Sequence, residues 1–148
     1  MVDVIVVGTD GSETAQLAVD EAIRLAKRLG SVLHVVSAFL PVQLNVAGAL
    51  AGAPVIWEPL PDTEVHDTLV RAAALAGERG VEAITHAIEA YPVDALLEVA
   101  KDVGATMLVV GSIGMHGAKR LKLGNVPNQI SHKARCNVLI VYTDEPPA

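Results

Sequence analysis

The sequence contains few of the residues that mark several common protein classes. It has one cysteine, Cys136, so no disulfide can form within these 148 residues, and a reducing cytoplasm fits that composition best. Its apolar runs, such as Met107–Val110 and Val138–Tyr142, are far shorter than the roughly 20 residues that a membrane span requires. Val4–Val7 is also too short for the apolar part of a signal peptide. We therefore expect a cytoplasmic protein that does not bind or cross a membrane.

Acidic residues are absent from one part of the chain. The net charge is −6, which argues against nucleic acid as a partner. Residues 1–102 carry six basic and fifteen acidic residues, whereas residues 103–143 carry five basic residues and no acidic residue. Such a segment offers no carboxylate that would repel an anion. It is either an ordinary basic surface or a region where an anion binds.

Motifs for rapid catalysis are also missing. Gly117–Arg120 lacks the lysine pattern of a P-loop, and Gly11-Ser12 does not lie in a G-x-S-x-G nucleophile elbow. No residue pattern supplies a general base with an orienting partner, so at most slow turnover is compatible with the sequence. The five histidines lack the spacing of metal ligands and are expected not to come together: His34, His66, His86, His116 and His132.

Apolar, β-branched segments alternate with segments of helical periodicity along the chain. The predicted strands are Val2–Val7, Val32–Phe39, Ala83–Glu89, Thr106–Val110 and Val138–Tyr142. The predicted helices begin after an N-cap at Ser12 and end at Gly30, and then cover Asp62–Gly80, Val93–Val103 and Val126–Ala134. Between the second strand and the second helix, Leu40–Pro61 shows no period and is predicted to be a long loop.

This alternation predicts an α/β fold: one domain over residues 1–148, with a five-stranded parallel sheet and helices on both faces. Polar residues interleave with apolar ones in Ala83–Glu89, which favours an edge position for that strand. The expected architecture is Rossmann-like and doubly wound, with strand order 3-2-1-4-5. In such sheets ligands bind outside the carboxyl ends of the strands, where the winding reverses.

A glycine-rich segment follows the fourth predicted strand. Gly111 and Gly114 let backbone N–H groups approach a phosphate without an intervening Cβ. Gly124 and Asn125 precede the next predicted helix, whose N-terminal N–H groups and dipole favour an anion, with Asn125 as the expected N-cap. The alternative is a connection that only turns the chain. The whole set, in a segment without acids, favours phosphate binding.

The spacing Gly111-x2-Gly114-x9-Gly124 resembles the nucleotide-binding signature of the universal stress protein family. The opening strand with Gly8-Thr9-Asp10-Gly11-Ser12 and the closing Val138–Val141 are similar to that family as well. The resemblance covers essentially the whole chain. It implies an adenine-nucleotide-binding stress or signalling protein, because the signature marks members that bind ATP, and one actinobacterial-type branch resembles cyclic AMP binders.

The resemblance also implies roles for individual residues. Asp10 would contact the ribose or a metal ion bound with the nucleotide, although Asp-Gly-Ser is equally typical of a plain turn. Gly8 and Thr9 would line the nucleoside pocket, and the backbone of Val35 would face the adenine edge. The residues that would hold ribose and phosphates are Gly111, Gly114, Gly124, Asn125 and Val126.

Two positions depart from the family pattern. Asn125 stands where Ser or Thr is usual, and Ile113 stands where His or Arg is frequent. The loss of a cation at Ile113 favours a smaller phosphate group, such as that of cyclic AMP, over ATP with Mg²⁺. The resemblance further implies a homodimer through the strand Asn137–Tyr142. The alternatives are an interaction protein that has lost the ligand, and a slow ATPase or adenylyl-transfer enzyme.

Overall fold

Five parallel strands form one sheet in the computed structural model, which describes residues 3–40, 62–112 and 125–143. In chain order the strands are β1 (Val4–Gly8), β2 (Val32–Phe39), β3 (Ala83–Glu89), β4 (Met107–Gly111) and β5 (Asn137–Val141). Their order across the sheet is β3-β2-β1-β4-β5, and every neighbouring pair is parallel. The predicted strand order and the edge position of β3 are confirmed.

Four helices lie in the described residues: α1 (Glu13–Leu29), α2 (Asp62–Glu78), α3 (Pro92–Val103) and α4 (Asn125–Lys133). Local sequence explains the ends of two of them. Ser12 caps α1, because its side chain accepts a hydrogen bond from the N–H of Ala15, and Gly30 ends it with a left-handed φ of 65°. Pro92 lies in the first turn of α3, where its missing N–H costs nothing.

The core has two halves, one on each face of the sheet. Ile5 and Val7 of β1 pack with α1 and α2, and Val6 between them packs on the other face, towards α3 and α4. All three side chains are fully buried. The even alternation of strand residues between two helical layers explains why the strands are apolar on both faces. None of the helices within these described ranges is long and apolar enough to cross a membrane.

The ends of several elements differ by one or two residues from the predicted ones, as is usual for helix and strand termini. β5 ends at Val141 instead of Tyr142, and α4 runs from Asn125 to Lys133 instead of from Val126 to Ala134. Nearly all of the predicted loop Leu40–Pro61 lies outside the described residues, and so does residue range 113–124 of the glycine-rich segment.

Candidate ligand-binding crevice

The central strands β1 and β4 separate at their carboxyl ends. Their pairing ends at Val7 and Val109. β1 continues alongside β2, where the N–H of Thr9 donates to the carbonyl of Val36 at 3.0 Å. β4 continues alongside β5, where the N–H of Ser112 donates to the carbonyl of Val141 at 2.8 Å. Sheets of this topology have their ligand crevice at this point, between β1 and β4, where the winding of the sheet reverses.

The turn Thr9–Ser12 forms the β1 side of this crevice. The N–H of Gly11 donates to Thr9 Oγ1 at 3.1 Å, and the N–H of Ser12 donates to Asp10 Oδ1 at 2.9 Å. From β2, the hydroxyl of Ser37 donates to the carbonyl oxygen of Thr9 at 2.8 Å. Asp10 thus acts as a turn residue, which agrees with one of its two predicted roles and leaves the ligand role a prediction.

Two glycines on this side are explained by packing. A Cβ at Gly8 would lie 2.9 Å from Cδ2 of Leu96, a buried residue of α3. At Gly11 φ is 81°, and a Cβ would lie 2.6 Å from the hydroxyl oxygen of Thr68 on α2. A side chain at Gly8 would force the end of Leu96 to shift, and Gly11 is favoured by its left-handed φ as well as by the contact with Thr68, independently of any ligand.

Ser112 and Thr143 form the β4 side. The N–H of Thr143 donates to Ser112 Oγ at 3.0 Å, and the hydroxyl oxygens of the two residues lie 3.1 Å apart, within hydrogen-bond distance. Thr143 has no exposed surface. A buried hydroxyl of this kind needs hydrogen-bond partners, and Ser112 supplies one. The end of β4 is thereby tied to the residues that follow β5.

The structure brings four of the predicted site residues to this edge of the sheet. Gly8, Thr9 and Asp10 lie at the carboxyl end of β1, and Gly111 is the last residue of the adjacent strand β4. Val35 is fully buried and pairs with Val7 of β1 and Thr85 of β3, next to the point where β1 and β4 separate, and its predicted backbone contact with adenine stays a prediction. From β2, the carbonyl of Val36 and the hydroxyl of Ser37 both bond to Thr9 at this edge.

The remaining predicted residues belong to the crossover between β4 and β5. Asn125 is the first residue of α4 and so is not the residue that precedes the helix, and Val126 follows it. α4 contacts α3, β4 and β5. Gly114, Gly124 and Ile113 lie outside the described residues.

The expectation that the histidines stay apart is wrong. His34 Nδ1 and His86 Nε2 are 2.8 Å apart, and the two rings are tilted by 32°. His34 pairs in register with Ile84, two residues before His86, so the two side chains lie on the same face of the β2–β3 pair. Burial lowers the pKa of both histidines, and the charge of His86 lowers the pKa of His34 further.

Sequence analysis missed three polar residues of the crevice: Ser37, Ser112 and Thr143. Ser37 is a polar residue inside an apolar strand and is 2% exposed, which could have marked it as a partner for a nearby backbone group. The pairing of Ser112 with Thr143 spans 31 residues and has no local signal. The contact between His34 and His86 spans 52 residues, and no local sequence pattern indicates it either.

Comparison with known proteins gives a consistent result. The model of the Universal stress protein family matches residues 1–142. Universal stress protein Rv1636 of Mycobacterium tuberculosis (strain H37Rv) is 36% identical over 148 residues, covering 94% of this chain and 95% of that protein. Universal stress protein YxiE of Bacillus subtilis is 30% identical over an alignment that covers 95% of this chain and 99% of that protein.

A solved structure is similar as well. It is the crystal structure of a universal stress protein in complex with cAMP, which is 30% identical to this chain. The two match with a TM-score of 0.72, over 97% of this chain and 98% of the other. The family match covers nearly the whole chain, and the parallel sheet has the predicted strand order. The chain therefore belongs to the universal stress protein family.

Proposed function

We propose that this protein binds an adenine nucleotide in the crevice between the carboxyl ends of β1 and β4. The observation that carries this proposal is the separation of the two strands beyond Val7 and Val109, while each stays bonded to its outer neighbour. Ligands of parallel α/β sheets bind in crevices of this kind. The similar universal stress protein in complex with cAMP supports an adenine nucleotide as the ligand class.

In this proposal the β1 side holds the nucleoside. Gly8 and Thr9 line its pocket next to β2, the strand that contains Val35, and Asp10 contacts the ribose or a Mg²⁺ ion that accompanies ATP. The β4 side and the start of α4 hold the phosphate, because N–H groups at a helix N-terminus favour an anion. The phosphate-side residues are Gly111, Gly114, Gly124, Asn125 and Val126.

We further propose that cyclic AMP binds at least as tightly as ATP. A triphosphate carries more charge, and each charge-assisted hydrogen bond that matches it contributes about 1.5–3 kcal/mol. Ile113 supplies no cation to the site. A single cyclic phosphate requires only backbone N–H groups and a helix N-terminus.

The first experiment identifies the ligand directly. Mass spectrometry of small molecules released from freshly purified protein, followed by calorimetry with cyclic AMP and with ATP in the presence and absence of Mg²⁺, separates the candidates. An ATP affinity more than about tenfold above that of cyclic AMP contradicts the preference. Absence of binding by either nucleotide favours an interaction protein without a ligand. Release of ADP or AMP from bound ATP favours slow turnover.

Gly124→Val tests the phosphate side. A β-branched side chain at this glycine should exclude the phosphate and lower nucleotide affinity by about a hundredfold or more. Gly77→Val is the matched control, because Gly77 lies in α2 and a Cβ there meets nothing within 4 Å. A folded Gly124→Val protein with unchanged affinity would remove the phosphate-side assignment.

We also propose a homodimer through β5, with residues 1–148 forming one domain of a cytoplasmic protein. β5 lies at the sheet edge and pairs with β4 alone within the sheet, and four of its five side chains are half-buried. Open edge strands of this kind pair readily with a second copy around a two-fold axis.

Proline substitutions in β5 separate the two edges of that strand. The carbonyl of Val141 accepts a hydrogen bond from Ser112, so alternate residues, including Leu139, bond to β4, whereas the N–H of Val138 faces outwards. Val138→Pro should therefore give folded monomers, while Leu139→Pro should disturb the β4–β5 pairing as well. Light scattering that still reports dimers for folded Val138→Pro would exclude this interface.

A further inference from the structure

We propose that Thr143 and Ser112 form a positioning pair that fixes the β4 side of the crevice for nucleotide binding. This inference rests on the proposed nucleotide-binding function and assigns a role to a residue that does not itself contact the ligand. It concerns the backbone of Gly111 and Ser112, where β4 ends and faces the turn Thr9–Ser12 across the crevice.

Three contacts tie Ser112 to the chain beyond β5. Its N–H donates to the carbonyl of Val141 at 2.8 Å. Its hydroxyl accepts from the N–H of Thr143 at 3.0 Å and lies 3.1 Å from the hydroxyl of the same residue. Main chain and side chain of Ser112 are thus held together by one neighbouring segment. Because Gly111 has no side chain to pack, its peptide groups depend on such neighbours for a fixed position.

The burial of Thr143 shows what it does not do. Thr143 is fully buried, whereas four of the five residues of β5 are only half-buried and the next residue, Tyr142, is 69% exposed. A side chain without exposed surface cannot contact a nucleotide in the crevice. The contacts with Ser112 give Thr143 an indirect route to the crevice. Groups already held in the bound geometry lower the entropic cost of binding.

Thr106 provides a matched control at the opposite end of β4. Its hydroxyl accepts from the N–H of Val4 at 3.0 Å and donates to the carbonyl of Val4 at 3.1 Å. Thr106 and Thr143 are the same residue type, and each hydroxyl joins an end of β4 to another part of the chain. Thr106 lies at the amino edge of the sheet, away from the crevice. Loss of its hydroxyl should affect stability without affecting a ligand.

The test compares Thr143→Val, Thr143→Ser and Thr106→Val in the full chain. Valine keeps the shape of threonine and removes the hydroxyl, and serine keeps the hydroxyl. Calorimetry with cyclic AMP should show that Thr143→Val lowers affinity about tenfold, whereas Thr143→Ser and Thr106→Val stay within about threefold of the unmodified protein. Thermal unfolding should show similar destabilisation by both valine substitutions.

Each outcome has a definite meaning. If the unmodified protein binds neither cyclic AMP nor ATP, the proposed function is wrong, and the positioning role that rests on it is wrong as well. If the unmodified protein binds and folded Thr143→Val binds equally well, or if Thr106→Val loses as much affinity, the positioning role is excluded. If Thr143→Val does not fold, Ser112→Ala removes the hydroxyl pair from the other side. A folded Ser112→Ala protein with full affinity would also overturn the inference.

Discussion

The two sides of the crevice are fixed in different ways. On the β1 side, the turn Thr9–Ser12 is closed mainly by hydrogen bonds between residues two or three positions apart. On the β4 side, the contacts of Ser112 come from Val141 and Thr143, which follow it by about thirty residues. The first side is a local property of the sequence, and the second exists only once β5 has joined the sheet.

This difference has consequences for substitutions. A turn with several short-range hydrogen bonds retains most of its geometry when one bond is lost, unless a substitution changes the backbone itself. A strand end held by a few contacts from one distant segment depends on that segment. Backbone changes should therefore have the largest effects on the β1 side, and removal of single hydroxyl groups should have smaller ones.

Gly11→Ala should have the largest effect on stability. The left-handed φ of 81° costs a non-glycine residue about 1–2 kcal/mol, and the added Cβ would also meet Thr68 Oγ1 at 2.6 Å. The control Gly80→Ala has a φ of 77° and open space, so it should show the conformational cost alone. Urea unfolding should find Gly11→Ala less stable than Gly80→Ala by about 1–3 kcal/mol. Equal values would mean that Thr68 moves aside freely.

Asp10→Asn separates the turn role of this side chain from its proposed ligand role. Asparagine keeps an oxygen that can accept from the N–H of Ser12, so stability should change little, whereas Asp10→Ala should cost about 0.5–1.5 kcal/mol. If the carboxylate contacts Mg²⁺, Asp10→Asn lowers the affinity for Mg²⁺-ATP about tenfold and that for cyclic AMP much less. Equal losses for both nucleotides in calorimetry would argue against a metal contact.

Ser37→Ala should have a smaller effect on nucleotide affinity than Thr143→Val. It removes the hydrogen bond to the Thr9 carbonyl, at a cost of about 1 kcal/mol in stability, but the local bonds of the turn remain. Ser31→Ala is the matched control, because Ser31 Oγ is buried and has no hydrogen-bond partner in the described part of the chain. Removal of the Ser31 hydroxyl should leave the free energy of unfolding unchanged or raise it. If Ser37→Ala and Thr143→Val lower nucleotide affinity equally, the β1 and β4 sides do not differ in their dependence on single hydroxyl groups.

The pH dependence of stability should show the smallest effect. The pKa of both His34 and His86 is lowered in the folded protein from the ordinary value of 6.5. The unfolded chain therefore binds more protons than the folded one below that pH, so stability is complete above about pH 6.5 and falls as the solution becomes more acidic. His86→Gln should flatten this dependence, whereas His132→Gln, at an exposed position of α4, should not. If stability falls equally steeply with decreasing pH in both variants, groups other than His34 and His86 cause the pH dependence.

Much of the fold follows from local patterns in the sequence. The strands show as short apolar runs because both faces of the sheet are covered, and the α1 cap at Ser12 and its end at Gly30 have recognisable residues. The strand order follows from alternating strands and helices together with the family resemblance, and it is confirmed. With this strand order, the glycine-bearing ends of the first and fourth strands lie on adjacent strands.

The candidate site was less predictable. The motif Gly8-Thr9-Asp10-Gly11-Ser12 is visible in the sequence, but the groups that lie against Gly8 and Gly11 are Leu96 and Thr68, on helices far along the chain. The sequence placed Val35 inside an apolar strand, and the structure shows it fully buried, so its predicted backbone contact with adenine stays a prediction. Contacts between residues that are distant in sequence decide these details, and a single sequence carries no record of them.

The contact between Gly8 and Leu96 constrains how this chain can diverge. The space for a Cβ at Gly8 is occupied by the Leu96 side chain. The order in which the two positions are substituted therefore matters. A Gly8→Ala change would be costly while Leu96 is present, whereas a smaller residue at position 96 would first cost core packing and then make Gly8→Ala acceptable. The two positions are therefore expected to vary together, and a lineage that lost Leu96 would be free to add side chains at the mouth of the crevice.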